Sequence, residues 1–158
     1  MRLLTSTDYA LRVLIHLATA PTGHATVTEI AEAYGISRNT LVKVVNGLGH
    51  VGLVNTARGS GGGVRLGKPA EEIDIGTVVQ LMEGTDVLAE CFDPAGHGCV
   101  IARSCRLPAV LGEAARAFHA VLARHTLADM VRDREPLVAI LHPAGAAAKG
   151  SCCGGCGG

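Results

Sequence analysis

Two short amphipathic helical patterns separated by one glycine constrain the fold of this chain more than any other feature. The first pattern covers residues 27–34, with a capping box predicted at Thr26 and Glu29 and an end predicted at Gly35. The second pattern follows at once, over residues 38–49. Two short helices joined by so tight a turn predict a helix-turn-helix.

The second of these helices has the side-chain types that a DNA-reading helix needs. Arginine can form two hydrogen bonds with guanine, asparagine can do the same with adenine, and lysine can contact phosphate. A helical hairpin with an ordinary solvated polar face would show the same pattern, so that interpretation stays open. The predicted DNA contacts of this helix and its cap are Ser37, Arg38, Asn39, Thr40 and Lys43.

A pair of strands is predicted immediately after the helix-turn-helix. Residues 53–58 and 64–67 have strand character, and the glycine-rich loop 59–63 between them allows close approach to a DNA backbone. The sequence therefore predicts a mainly α fold, a winged helix-turn-helix with a small two-stranded wing. The predicted wing contacts are Arg58, Ser60, Gly61, Gly62 and Arg65.

The distribution of charge favours DNA as a partner of the N-terminal part alone. The net charge is zero, yet residues 1–70 contain seven Lys/Arg and three Asp/Glu, whereas residues 71–158 contain seven and eleven. No basic leader and no apolar run of membrane-spanning length occurs, so we expect a cytoplasmic protein without membrane association. The sequence shows no nucleophile–base pair and no pair of acids that would indicate an enzyme.

Three cysteines in the middle of the chain predict a metal site. Cys91, Cys99 and Cys105 are separated by seven and five residues, and thiolates suit iron–sulfur clusters or zinc. The paired C-x2-C spacing of a four-cysteine zinc site is absent from this segment. Three ordinary thiols, or a regulatory disulfide, are the alternatives. The fourth ligand could be His97 within the same loop or a side chain brought from elsewhere in the chain.

The rest of the chain divides into recognisable segments. The N-terminal helix, expected at 7–20, has Thr5 or Ser6 as its predicted cap, and further helices are expected at 74–83, 104–124 and 126–131. The predicted organisation is a DNA-binding domain at 1–83, a cluster-binding loop at 84–103, dimerisation helices at 104–142 and a disordered tail at 143–158.

Further cysteines and the histidines have weaker signals. The tail contains Cys152, Cys153 and Cys156, for which weak metal binding, disulfide exchange and no essential role are all open. Several histidines are expected to be solvated, namely His24, His50 and His142. Partial burial on helices is expected of His16, His119 and His125.

Taken together, these features resemble the family of iron–sulfur winged-helix transcription regulators, and within it the nitric-oxide-sensing repressors. The resemblance runs from residue 1 to about residue 141. It is carried by the three mid-chain cysteines and by four stretches, LTSTDYALR (4–12), YGISRNTLVKVVNGL (34–48), GLVNTARGSGGGVRLGKPA (52–70) and TLADMV (126–131).

The resemblance implies a homodimer that represses transcription at a palindromic DNA operator. It also implies a 4Fe-4S cluster, with 2Fe-2S as the alternative, bound by Cys91, Cys99 and Cys105 and by Asp8 of the partner subunit. Some family members place a histidine ligand shortly after the third cysteine, but here Arg106 follows. Nitrosylation by nitric oxide would relieve repression.

Alternatives to this assignment concern both the ligand and the signal. An acidic residue such as Asp8 in the first turn of a helix also stabilises that helix by about 0.3–1 kcal/mol. An exogenous ligand could replace Asp8, and the long gap between Cys91 and Cys99 leaves His97 as a rival. The same fold could sense iron, cluster supply or redox state. A metal-delivery or electron-transfer protein is the alternative from another class.

Overall fold

The computed structural model describes residues 3–57, 63–84, 100–101 and 104–143. This part of the chain is mainly helical, with one two-stranded antiparallel sheet. None of its helices is long and apolar enough to cross a lipid bilayer. The elements are α1 (Thr5–Thr19), α2 (Val27–Tyr34), α3 (Arg38–His50), β1 (Val54–Ala57), β2 (Gly63–Leu66), a 3-10 turn (Ala70–Glu72), α4 (Ile75–Glu83), α5 (Leu107–Leu122), α6 (Leu127–Met130) and α7 (Arg134–Leu141).

The helix-turn-helix formed by α2 and α3 confirms the sequence prediction, including its caps. The hydroxyl of Thr26 accepts from the backbone N–H of Glu29 at 3.1 Å, and the Glu29 carboxylate accepts from the Thr26 N–H at 2.6 Å. Gly35 ends α2 with a φ of 63°, a conformation that glycine adopts without strain. Ser37 caps α3 by accepting from the N–H of Thr40 at 3.2 Å.

The wing is also present, with strand ends one residue from those predicted. Strands β1 and β2 are antiparallel, in a register that pairs Val54 with Leu66 and Ala57 with Gly63. Backbone hydrogen bonds in both directions, of 3.0 and 2.8 Å, join Val64 to Ala25, in the segment before α2. The base of the wing is therefore attached directly to the helix-turn-helix.

The core is built around α1, which contacts α3, α4, α6, α7 and β2. Its helical periodicity places Ala10, Val13, Leu14 and Leu17 on the buried side. Helix α1 therefore joins α3 to the C-terminal helices α6 and α7. The largest fully buried apolar side chains are Leu14, Ile30, Leu41, Leu48, Ile73 and Leu127.

Two helix starts differ from the sequence prediction by two residues or more, and one helix was not predicted. Helix α1 begins at Thr5 with Leu4 as its cap, and no side chain supplies a capping hydrogen bond, so the predicted caps at Thr5 or Ser6 are wrong. The Leu4 N–H instead donates to the carboxylate of Glu83 at 2.9 Å, a tertiary contact that local pattern does not reveal. Helix α5 starts at Leu107, three residues later than predicted, and α7 was not predicted as a helix.

Two of the histidine expectations are wrong. His142, expected to be solvated, is half-buried, and its Nε2 lies 3.1 Å from the Thr19 hydroxyl oxygen. His125, expected to be partly buried, is exposed because the chain leaves α5 at Leu122 and turns into α6. His16 is only 1% exposed, which is deeper than predicted. The burial of His16 and of His142 depends on how α7 packs against α1.

Helix α5 packs against the rest of the chain only lightly. None of its residues is buried, and its contact with α4 brings the backbone of Ala123 against Gly76. Apolar side chains are exposed along its length, with Leu107 at 54%, Val110 at 59% and Val121 at 47%. Since no residue in the part of the chain that the structure describes covers these side chains, the apolar face of α5 favours a packing partner.

Candidate DNA interface and cluster ligands

Helix α3 presents one polar face to solvent and buries the other. Leu41, Val44, Val45 and Leu48 are buried, as predicted. The exposed residues Asn39, Lys43, Asn46 and His50 follow one another at helical spacing and therefore lie on the same side. Arg38 and Thr40 are exposed at the start of the helix.

The predicted contact residues at the beginning of α3 are held by local hydrogen bonds. The hydroxyls of Ser37 and Thr40 lie 2.7 Å apart, in addition to the capping bond. The first turn of α3 also leaves backbone N–H groups that favour an anion such as a DNA phosphate. Both hydroxyl residues therefore have a structural role beside the predicted contact with DNA.

A polar groove between α3 and β1 extends this face beyond the residues predicted from sequence. It is lined by Asn46 and His50 from α3 and by Asn55 and Thr56 from β1. Arg65 on β2 is exposed and pairs in register with Asn55, so the two side chains emerge on one side of the wing. The other predicted wing contacts, Arg58, Ser60, Gly61 and Gly62, lie outside the described residues.

Cys105 lies immediately before α5, and its surroundings suit a metal-binding thiolate. The thiol is half-buried, and its sulfur accepts from the N–H of Leu107 at 3.4 Å. Hydrogen bonds of this kind to cysteine sulfur are a feature of iron–sulfur sites. Cys91, Cys99 and His97 lie outside the described residues. Within the described ranges, no three His, Cys, Asp or Glu side chains come together as a metal site.

Asp8 lies in the first turn of α1, where its side chain is about half exposed. Its carboxylate pairs with the guanidinium of Arg12, one turn later, at 2.9 Å. The spacing of four residues, with the acid first, is the favourable arrangement on a helix. Asp8 was a predicted site residue and Arg12 was not, although the acid–base spacing is visible in the sequence.

Arg12 connects Asp8 to the turn of the helix-turn-helix. Its guanidinium carbon lies 5.9 Å from the ring centres of both Tyr9 and Tyr34. The Tyr34 hydroxyl donates to the backbone carbonyl of Arg12 at 3.1 Å, and Tyr34 is the last residue of α2. Burial raises the pKa of Tyr34 to about 12, against the opposing effect of Arg12, so this hydroxyl remains a donor.

Comparison with known proteins identifies the family. Residues 3–133 match the family model of Rrf2, described as an iron-dependent transcriptional regulator. The chain belongs to the Rrf2 family. It is 46% identical over 142 residues to the HTH-type transcriptional regulator NsrR of Bacillus subtilis (strain 168), covering 89% of this chain and 97% of that protein.

Solved structures of Rrf2-type regulators have the same fold. T. potens IscR superposes with a TM-score of 0.68 at 24% identity, covering 87% of this chain and 90% of the other. Staphylococcus aureus CymR has a TM-score of 0.62 at 30% identity, with 80% and 95% covered. The predicted mainly α, winged-helix fold and the family resemblance are confirmed, and the chain is a DNA-binding transcriptional regulator rather than an enzyme.

Proposed function

We propose that this Rrf2 protein is a nitric-oxide-responsive repressor in which an iron–sulfur cluster controls binding to a palindromic operator. The observation that carries the proposal is the 46% identity, over nearly the whole chain, to a protein named NsrR. In the proposal the cluster is 4Fe-4S, with 2Fe-2S as the alternative. Its proposed ligands are Cys91, Cys99, Cys105 and Asp8 of the partner subunit.

The chemistry of the two described ligands fits this group. Cys105 offers a soft thiolate whose sulfur already accepts a backbone N–H at the start of α5. The carboxylate of Asp8 is accessible from outside the chain because about half of the side chain is exposed. When bound, such a cluster supplies iron with which nitric oxide can react, and an oxygen donor is a weak ligand to that iron.

The proposed assembly is a C2 homodimer with α5 at its centre. The exposed apolar residues Leu107, Val110 and Val121 would be covered by the same helix of a second copy. In this arrangement residues 1–83 form the DNA-binding domain, 84–103 the cluster-binding loop, 104–142 the dimerisation helices and 143–158 a disordered tail.

Coupling between the cluster ligand and DNA is proposed to run through Asp8, Arg12 and Tyr34. The Asp8 carboxylate neutralises Arg12, which packs on Tyr34 at the end of α2, and Ser37 caps the recognition helix, α3, three residues later. A change in what Asp8 binds would alter this packing, and so shift the equilibrium between two orientations of α3.

The proposed contacts on DNA are Ser37, Arg38, Asn39, Thr40 and Lys43 from α3 and Arg58, Ser60, Gly61, Gly62 and Arg65 from the wing. Their support is the exposed polar face of α3 and the exposure of Arg65. With two copies related by a two-fold axis, the two recognition helices would read half-sites about one DNA turn apart, or a multiple of it.

The decisive experiment is anaerobic purification followed by titration with nitric oxide, with cluster absorbance and operator binding recorded on the same samples. We expect both signals to change together. If operator binding persists after complete nitrosylation, nitric oxide is not the signal. Release by an iron chelator or an oxidant, with no effect of nitric oxide, would identify the iron- or redox-sensing alternative. If the protein shows no preference among DNA sequences at moderate salt, the metal-delivery or electron-transfer alternative is favoured.

The ligand assignment is tested with matched variants. Asp8→Ala is expected to change the cluster spectrum and weaken the coupling to operator binding, whereas His97→Ala behaves as wild type. Arg12→Gln breaks the same ion pair but keeps the carboxylate, so it separates a ligand effect from the loss of the pair. Glu32→Ala, an exposed acid on α2, is the control. An unchanged spectrum and response in Asp8→Ala would remove Asp8 from the site.

A further inference from the structure

A pair of histidines lies where α7 packs against the C-terminal half of α1. The rings of His16 and His142 have centres 4.3 Å apart and are tilted by 59°. The Nε2 atom of His142 also lies 3.1 Å from the hydroxyl oxygen of Thr19. The proposed DNA and cluster sites use neither histidine.

Other contacts at the same place show that α7 is attached chiefly to the end of α1. The Arg134 guanidinium donates to the backbone carbonyls of Thr19 and Ala20 at 3.1 and 3.3 Å. These carbonyls belong to the C-terminal end of a helix, where a cation is favoured. Leu141 is the one residue of α7 that is buried. Polar contacts from Arg134 and His142 therefore contribute to the attachment of α7.

His16 is the unusual member of the pair. It is 1% exposed, and its Nδ1 is buried without a hydrogen-bond partner in the described part of the chain. A buried polar atom without a partner costs free energy, and a second proton on this ring would add an uncompensated charge facing another imidazole. The site therefore accepts His16 only in its neutral form.

Charged groups around the pair do not offset this cost. Burial first, and then the adjacent His142, lower the pKa of His16 to about 4, while Glu29 acts in the opposite direction. The Glu29 carboxylate is already bonded to the backbone N–H of Thr26. Among the described residues, the titratable and charged groups that face the pair or adjoin it are Arg12 on α1, His24 in the following loop, Glu29 and Tyr34 on α2, and Arg134 and Glu135 on α7.

We propose that His16 and His142 form a proton-sensitive latch that fastens α7 to α1 at neutral pH and releases α7 on acidification. The direction of the pH effect follows because the folded site requires His16 to be neutral. A histidine that is exposed after α7 detaches takes up a proton at its ordinary pKa, so falling pH favours the detached state. The latch is complete above about pH 6.5 and is progressively lost as the pH falls toward 4.

The test is hydrogen–deuterium exchange of the full-length protein at pH 7.5 and 5.0, corrected for the intrinsic pH dependence of exchange. For the peptide covering α7, we expect the opening equilibrium to increase roughly 10- to 30-fold at the lower pH. Peptides from α3 should not share this change. His16→Phe keeps a ring of similar shape but cannot titrate, and should abolish the response. His125→Gln, at an exposed histidine, should retain it.

Two results would overturn the latch. One is that, in the wild type, the protection of α7 from hydrogen exchange does not depend on pH. The other is that His16→Phe shows the same pH response of α7 as the wild type. An NMR titration of the histidine rings in the wild-type protein gives an independent measurement if His16→Phe does not fold. A His16 ring that titrates at the ordinary value near 6.5 refutes the proposal, and one that titrates near 4 supports it.

Discussion

Replacement of Gly76 by alanine tests how α5 is positioned on the body of the protein. A Cβ atom at this position would lie 2.8 Å from the backbone nitrogen and 3.1 Å from the Cα of Ala123. Real Cβ atoms do not approach backbone so closely, so α4 and the end of α5 must move apart. Overpacking of this kind costs about 1–3 kcal/mol.

The same substitution has a favourable component that must be separated from the clash. Alanine is better than glycine within a helix by about 0.5–1 kcal/mol. Gly47→Ala on α3 supplies the matched control, because its Cβ would meet only the Met82 methyl carbon, at 4.0 Å, an ordinary contact. We expect Gly47→Ala to be neutral or slightly stabilising and Gly76→Ala to lower the free energy of unfolding by about 0.5–2 kcal/mol.

Urea unfolding followed by circular dichroism measures both variants against the wild type at one pH. The midpoint should fall for Gly76→Ala, with an unchanged slope, because the surface exposed on unfolding stays the same. Equal midpoints for the two variants would show that α5 does not rest on Gly76 as described. In that case the orientation of α5, and with it the proposed dimer, would need revision.

The remaining predictions concern two DNA contacts proposed for α3 and the cap of α2. Lys43→Ala should weaken binding to all DNA sequences and reduce the slope of log affinity against log salt concentration by about 1, whereas Asn39→Ala should lower discrimination at one base pair by about 1–3 kcal/mol. Fluorescence anisotropy at several salt concentrations measures both effects. An unchanged salt slope in Lys43→Ala would contradict a phosphate contact. Thr26→Ala removes the capping box and should cost about 1 kcal/mol of stability in urea unfolding, with the exposed Thr28→Ala as control; equal midpoints would contradict the cap.

Local features of the sequence were sufficient to predict the helix-turn-helix. The capping box at Thr26, the turn at Gly35 and the cap at Ser37 each depend on residues within four positions of one another. Helical periodicity was equally local, and it correctly assigned the buried side of α3. The family resemblance, now confirmed, rests on the same stretches. The predicted DNA contacts and the cluster ligands stay predictions.

Features that depend on distant parts of the chain were not visible in the sequence. The start of α1 depends on Glu83, 79 residues away, and the attachment of α7 to Thr19 spans more than 100 residues. Neither contact leaves a periodic signal, because each joins single residues of different elements. The contact of Tyr34 with Arg12 was missed for the same reason.

By itself, the sequence determined a winged helix-turn-helix and the chemical types of the proposed cluster ligands. Those properties follow from short-range hydrogen bonding, periodic burial and the donor atoms of cysteine. The tertiary structure alone decided that Arg12, the ion-pair partner of Asp8, packs on Tyr34 at the turn before the recognition helix, and that His16 is buried against His142. Both depend on which helix faces pack together, and packing brings together residues whose separation along the chain carries no pattern.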